Sequence, residues 1–287
     1  MSDPRPIGIF DSGIGGLTVV KEIFRHLPLE SVVYFGDTAR VPYGSKSPKT
    51  VETFALEDIF FLLTQNVKIL VAACHTVSSV VLDSLVARLH LPILGVVDPG
   101  VRAALKTTRN RRIGVIGTQG TVASGTYEKK LHLKDPAVNV FSQACPLFVP
   151  LAEEGWLDGD VTERVARIYL EPIRAQGIDT LILGCTHYPL LKPVIQGVLG
   201  PGVKLIDSAE ETARTVAARL RILGLENQEG GGLHHKMFVS DIPLRFRQVG
   251  ERFLDRALDS VVQVDLEAVR AEMGSSKAIE NYSCKLF

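Results

Sequence analysis

Two cysteines stand where buried strands should end. "VKILVAACHT" (67–76) and "IDTLILGCTH" (178–187) each run an apolar stretch into a thiol, followed at once by an imidazole and a hydroxyl in exchanged order. A single such cysteine reads as a small buried residue. Two at matching positions in two similar stretches read as chemistry. A thiol with a reference pKa of about 8.5 serves as acid or base at neutral pH after modest tuning, and its thiolate abstracts a proton as well as it attacks an electrophile. Two thiols on opposite sides of one carbon can invert it: one removes a proton from its face, the other delivers a proton to the opposite face, and the reverse direction exchanges the roles. A carbon beside a carboxylate and an ammonium gives up its proton reluctantly, so charge developing on the carboxylate must be met by backbone amides at helix starts and by hydroxyls. Ser12, Thr76, Thr118, Thr121 and Thr186 supply hydroxyls near strand ends. Asp11 and His187, with Glu153 or Glu154, are placed to tune the thiols or relay protons.

Other chemistries fit these residues less well. Adjacent Cys74 and His75 would point to opposite faces of an extended chain, and the Cys-x-x-Cys or Cys-x-x-His spacing of zinc sites is absent, so no metal is expected. The same spacing argues against a redox pair. "DSGIGG" (11–16) imitates a dinucleotide fingerprint, but Thr18 takes the third glycine position and Asp11 puts a carboxylate where a diphosphate would approach. A tight turn whose amides hold a smaller anion fits it better, and no cofactor is expected. Cys145, in "SQACPLFVPL", has no counterpart in the first half and no adjacent histidine, so it is assigned to packing. "DTARVPYGSKS" holds Pro42, Tyr43 and Gly44 in a loop of the kind that binds substrate through backbone amides and an aromatic hydroxyl.

The elements that must position these groups follow from the apolar rhythm. "PIGIFDS", "SVVYFGD" and "VKILVAA" alternate with helix-like "GGLTVVKEIFRHL" and "VETFALEDIFFLLTQ", which predicts parallel sheet with crossover helices. After "LPILGVVDPG" the pattern restarts, "RRIGVIGTQGTV" repeating the opening "RPIGIFDSGIGGLTV". The expected architecture is α/β, with two pseudo-symmetric lobes of mainly parallel sheet, flanking helices and a site in the cleft between them, because ligands bind beyond the carboxyl ends of parallel strands. Residues 1–98 with 207–274 form the first lobe and 99–206 the second, the segment from Asp207 packing back on the first half. The tail 275–287, including Cys284, fits neither pattern and is expected to be disordered or an appended remnant. Lys plus Arg and Asp plus Glu balance at 32 each, so the charge favours neither nucleic acid nor an anionic membrane. Without a signal-like start or a membrane-length apolar run, the expected location is the cytoplasm, where thiols stay reduced.

"GIFDSGIGGLTV", "YFGDTARVPYG", "CHT", "CPLFVPLAEEG", "LILGCTHYPLL" and "IDSAEETA", in order and at matching spacing from Ile7 to about Leu258, together resemble the glutamate racemases of the aspartate/glutamate racemase superfamily. The resemblance implies cofactor-independent interconversion of L- and D-glutamate, the D-isomer going to peptidoglycan, in a two-lobed enzyme that is often a homodimer. It implies that Cys74 and Cys185 are the acid/base catalysts, that Asp11, Ser12, Tyr43, Gly44, His75, Thr76, Thr186 and His187 contact substrate, and that Thr118 and Thr121 are second-tier candidates for the same contact. The catalytic glutamate falls in "AEEG" and is assigned to Glu153. Where the family usually reads Cys-Asn-Thr, this chain has Cys74-His75-Thr76, leaving open whether an imidazole faces the substrate. Aspartate racemisation or another proton transfer on a carboxylate substrate is the alternative within the superfamily. A regulatory binding protein acting on DNA gyrase is the alternative of another class.

Overall fold

A computed structural model of the chain describes residues 2–229 and 232–274. Cys284 and the tail 275–287 lie outside the described residues. The first half runs β1 (Ile7–Asp11), α1 (Leu17–His26), β2 (Val32–Gly36), α2 (Pro48–Thr64), β3 (Ile69–Ala72), α3 (His75–Val80), α4 (Leu82–Val86) and β4 (Ile93–Gly95). The second runs α5 (Val97–Thr107), β5 (Arg112–Gly117), α6 (Gln119–Ala123), α7 (Thr126–Lys134), β6 (Asn139–Ala144), α8 (Phe148–Glu154), α9 (Gly159–Arg174), β7 (Thr180–Gly184), α10 (Lys192–Leu199) and β8 (Lys204–Asp207). The chain then returns through α11 (Ser208–Leu223), β9 (His235–Val239), α12 (Pro243–Leu254), β10 (Val261–Gln263) and α13 (Leu266–Met273).

Two wholly parallel sheets result, one in the order β10-β9-β2-β1-β3-β4 and the other β6-β5-β7-β8. The fold is two-lobed α/β, as the alternating pattern predicts. The central strands β1, β2, β3 and β7 are buried along their whole length, which is why they read as continuous apolar runs rather than alternating ones. One face of the larger sheet packs Ile7, Ile9 and Val71 on Leu17, Val20, Ala213 and Phe246 from α1, α11 and α12; the other packs Phe10, Phe35 and Leu70 on Ile59, Phe60 and Leu63 of α2. Each of these side chains except Ala213 contributes roughly 1.5–3 kcal/mol by burial. Helix starts carry their own stop signals: Ser47 caps α2 by accepting from Thr50 N–H with Pro48 at the first helical position, and Asp207 caps α11 through Ala209 N–H. Among the described residues no helix is long and apolar enough to cross a membrane.

The returning segment does more than pad the first lobe. Strand β9 pairs with β2, and α12, which follows it, reaches the second half: Arg252 donates to the carbonyls of Ala152 at 3.4 Å and Glu153 at 3.0 Å. Two carbonyls in the last turn of α8 thereby gain a guanidinium partner from α12.

Candidate active site

The carboxyl ends of β1, β3, β5 and β7 meet at the cleft. Strand β3 stops after Ala72, and Cys74 takes the N-cap position of α3 with φ −65° and ψ 120°, so its side chain leaves the sheet edge as the chain turns. Cys185 follows the last residue of β7 and leads into a 3-10 turn at Tyr188–Leu191, with Tyr188 N–H donating to the Cys185 carbonyl. Both sulfurs border one cavity of about 50 Å³, together with Ser12, Tyr43, Gly44, His75, Thr76, Thr118, Glu153, Thr186 and His187. A larger hollow of about 320 Å³ adjoins it, sharing Gly13, Val41 and Glu153 and bordered by Asp241, Arg245 and Phe246.

The lobes touch closely around the smaller cavity. A Cβ on Gly15 would sit 2.2 Å from Thr186 Oγ1 and 2.5 Å from His187 Nδ1, and one on Gly44 would sit 2.7 Å from Thr118 Cβ. Glycine is needed at both positions by approach rather than by backbone angle. Thr18 Oγ1 donates to the Thr186 carbonyl at 3.1 Å, and Thr76 and Thr118 place their hydroxyls 3.1 Å apart across the cleft. Thr118 is also the N-cap of α6, accepting from Thr121 N–H.

The two thiols have unequal surroundings. Cys74 is buried, and burial together with the negative charge of Asp11 pushes its thiol up to about 12. It is therefore protonated, and its Sγ lies 3.6 Å from Ser12 Oγ, to which it donates. Cys185 Sγ lies 3.8 Å from His187 Nδ1, and His187 Nε2 lies 2.9 Å from Glu153 Oε1. Burial alone would drive His187 down, but hydrogen bonds to Cys185 and Glu153 outweigh it and hold the imidazolium up to about 10. Glu153 is reciprocally lowered, since His187 and the more distant Arg245 overcome the opposing effect of its burial. Phe253 of α12 closes the outer side of the imidazole edge-on, with centroids 5.1 Å apart. A carboxylate, an imidazolium and a sulfur thus stand in line on one side, and a neutral thiol on the other.

The structure brings most of the sequence-assigned residues to the cavity wall. Asp11 and Thr121 lie just behind it. Asp11 Oδ2 accepts from Gly13 N–H at 3.0 Å, so the glycine-turn amide expected to hold a small anion is taken by the chain's own carboxylate. Its Oδ1 has no protein partner, and burial pushes this carboxyl up. Thr121 is buried and receives a hydrogen bond from Thr118 Oγ1 at 3.0 Å. The expected role of the Tyr43 hydroxyl differs from what is found: Tyr43 borders the cavity, but its hydroxyl is bonded to Asp37 and Asp58, neither of which lines it. His75 is buried, its ring stacks on Tyr127 at 6.5 Å, and neither ring nitrogen has a protein partner; burial pushes it down to about 3, so it is neutral. Glu154, by contrast with Glu153, is exposed and lies 3.5 Å from Arg245. Cys145 is fully buried, with Sγ 3.7 Å from the Gln143 carbonyl, and serves packing. Val149, Arg252 and Phe253 were not foreseen. They are ordinary helix residues in the sequence, and their neighbours at the site come from distant parts of the chain.

Residues 10–216 match the family described as Asp/Glu/Hydantoin racemase. The chain is 54% identical over 267 residues to the glutamate racemase of Geobacter metallireducens, covering 92% of this chain and 98% of that protein. Its structure is similar to that of a Bacillus anthracis glutamate racemase isoform, with a TM-score of 0.88 at 42% identity, covering 91% of this chain and 98% of that one. It is also similar to the Francisella tularensis glutamate racemase in complex with D-glutamate, with a TM-score of 0.87 at 40% identity and coverage of 93% and 99%.

Proposed function

The chain belongs to the Asp/Glu/hydantoin racemase family, and we propose that it interconverts L- and D-glutamate by moving protons between the substrate α-carbon and two cysteines, without a cofactor. The observation that carries the mechanism is the pair of sulfurs on one cavity, a protonated thiol at Cys74 and a sulfur backed by an imidazolium at Cys185. Cys185, paired with His187, removes the α-proton of the enantiomer that presents it there. The Cys74 thiol delivers a proton to the opposite face. In the reverse direction Cys74 must be the base, and the imidazolium is already placed to keep Cys185 supplied with a proton.

As the α-proton leaves, negative charge grows on the substrate carboxylate, and donors fixed before the reaction meet it at little reorganisation cost. The hydroxyls of Ser12, Thr76, Thr118 and Thr186 border the cavity and are suited to this. The helices α3 and α6 behind them are short, 6 and 5 residues, so the hydroxyls carry more of this work than helix dipoles do. Asp11, with one oxygen unpartnered, is the acceptor assigned to the substrate ammonium side. Glu153 acts through His187.

The lobes are divided as residues 1–98 with 207–274, and 99–206, a reading supported by which strands share each sheet. A cytoplasmic enzyme supplying D-glutamate to peptidoglycan fits the reaction. A homodimer is supported by the exposed apolar side chains Leu147, Trp156 and Val161, which border one surface hollow with Leu151 and Val165.

The test is α-proton exchange. In deuterium oxide, L-glutamate is expected to give α-deuterated D-glutamate with no added metal or pyridoxal phosphate. Cys74→Ala and Cys185→Ala are each expected to lose at least about a hundredfold in turnover. Full racemisation by either variant rejects the two-base scheme, and no deuterium in the product rejects proton transfer at that carbon.

A further inference from the structure

The loop from β2 to α2 brings Val41, Pro42, Tyr43 and Gly44 to the cavity, yet the Tyr43 hydroxyl turns into a buried set of charges that the proton transfer does not use. Asp37, at the end of β2, is completely buried. Its Oδ1 accepts from Ser240 Oγ at 2.8 Å, and its Oδ2 accepts from Arg40 Nε at 2.6 Å and from the Tyr43 hydroxyl. Ser240 is itself an acceptor for Ala39 N–H at 2.8 Å, so its own proton is free to go to Asp37. Asp37 is thus a fully served carboxylate. Arg40 also reaches Glu57 Oε2, and Asp58 Oδ1 at 3.2 Å, while Arg270 of α13 donates to Glu57 Oε1 at 2.9 Å.

The remaining contact is the informative one: the Tyr43 hydroxyl lies 3.1 Å from Asp58 Oδ2. A phenol has one proton. That proton is committed to Asp37, so a second buried oxygen this close must bring a proton of its own or stand as an unpaired acceptor at considerable cost. Charge counting gives the same answer. Three carboxylates, Asp37, Glu57 and Asp58, face two guanidiniums, Arg40 and Arg270, and one extra proton makes the set neutral.

We propose that Asp58 is a buried, neutral carboxylic acid at neutral pH, and that its proton, donated to Tyr43, locks the substrate-side loop Val41–Gly44 against the cavity. Tyr34 from β2, Asp37 just after it, Arg40 and Tyr43 from the loop, and Glu57 from α2 itself are the titratable groups acting on it, with Arg270 reached through Glu57. Burial first and the Asp37 charge second hold the Asp58 carboxyl well above the usual range, which the lock requires. The inference rests on the racemase reading for its consequence: Gly44 abuts Thr118 of the other lobe, so a loosened loop spoils the wall that receives substrate rather than the thiols that move the proton. Asp58 and Tyr43 are positioning residues through this hydrogen bond.

When alkaline pH removes the Asp58 proton, two carboxylates face one phenol oxygen and the loop is released. KM for glutamate is then expected to rise with pH in the wild-type enzyme. Asp58→Asn, whose amide donates to Tyr43 and accepts from Arg40 in the same sense, is expected to keep the neutral-pH KM within about twofold and to lose the alkaline rise. Tyr43→Phe is expected to raise KM roughly five- to tenfold at all pH values with a smaller change in kcat. An infrared spectrum of the substrate-free protein reads the proton without turnover, so this part stands apart from the racemase reading. A carbonyl band of a protonated carboxylic acid is expected at neutral pH, lost in Asp58→Asn and moved to higher frequency in Tyr43→Phe. Absence of any band sensitive to either substitution overturns the proposal, as does an Asp58→Asn enzyme whose KM climbs with pH as the wild type does. Should Asp58→Asn fail to fold, Tyr43→Phe decides alone: a band that does not move refutes the lock.

Discussion

Replacing Glu153 by Gln removes one of the two groups that keep His187 charged, and its effect can be worked from the geometry. The imidazolium is held up to about 10 against an ordinary 6.5, which corresponds to about 5 kcal/mol favouring the charged ring. That stabilisation is shared between Cys185 at 3.8 Å and Glu153 at 2.9 Å. A hydrogen bond to a charged group contributes about 1.5–3 kcal/mol, so the Gln amide, which keeps the shape but not the charge, should bring the ring down by about one to two pH units. The sign is fixed by the direction of the shift. The ring is charged below its folded value and loses its charge as pH rises through it, so the alkaline limb of kcat/KM should move to lower pH. At neutral pH the weakened ion pair should slow turnover about ten- to a hundredfold. Circular dichroism of both reaction directions, followed from neutral to strongly alkaline pH, measures all of this. An alkaline limb that stays where it is in Glu153→Gln would refute the relay, whatever the loss in rate. Glu154→Gln is the control: this residue is exposed and paired with Arg245, and its replacement should change rates less than about twofold.

Two further outcomes follow from the packing. His75→Asn should leave kcat within about threefold, because the ring is neutral, buried and turned onto Tyr127, while costing about 1 kcal/mol of stability from the lost aromatic contact; steady-state kinetics and thermal melting read the two separately, and a collapse of kcat would give the imidazole a role in the reaction. Gly15→Ala must push its new methyl into Thr186 and His187. Overpacking of this kind costs about 1–3 kcal/mol and should appear as at least a tenfold loss in kcat/KM without loss of the fold by circular dichroism; unchanged kinetics would show that the lobes need not approach as closely as drawn.

The strands and the two thiols were legible in the sequence for one physical reason. A buried parallel strand is a continuous apolar run, and a polar residue at its end has nowhere to go but the carboxyl edge where ligands bind. That logic singled out Ser12, Cys74, Thr118, Cys185 and His187, which line the cavity, and Asp11 behind it, without any knowledge of contacts. It misjudged the Tyr43 hydroxyl because a loop residue's direction is set by its buried partners, here Asp37 at the end of β2 and Asp58 on α2. It also gave no view of Arg252, a surface-type residue on α12 that holds the carbonyls of Ala152 and Glu153 from far along the chain.

The sequence by itself determined the family, through the ordered series of motifs, and the α/β layering that carries the duplicated cysteine ends. Only the tertiary structure decided how the two equivalent-looking thiols differ. Protonation depends on burial and on charges a few ångströms away, and neither is written in local sequence. Cys74 meets Asp11 and an apolar wall, whereas Cys185 meets an imidazolium held by Glu153. In the same way the placing of Glu153, and not Glu154, beside His187, and the burial of His75 away from hydrogen-bond partners, follow from where α8 and α3 pack rather than from the residues they carry.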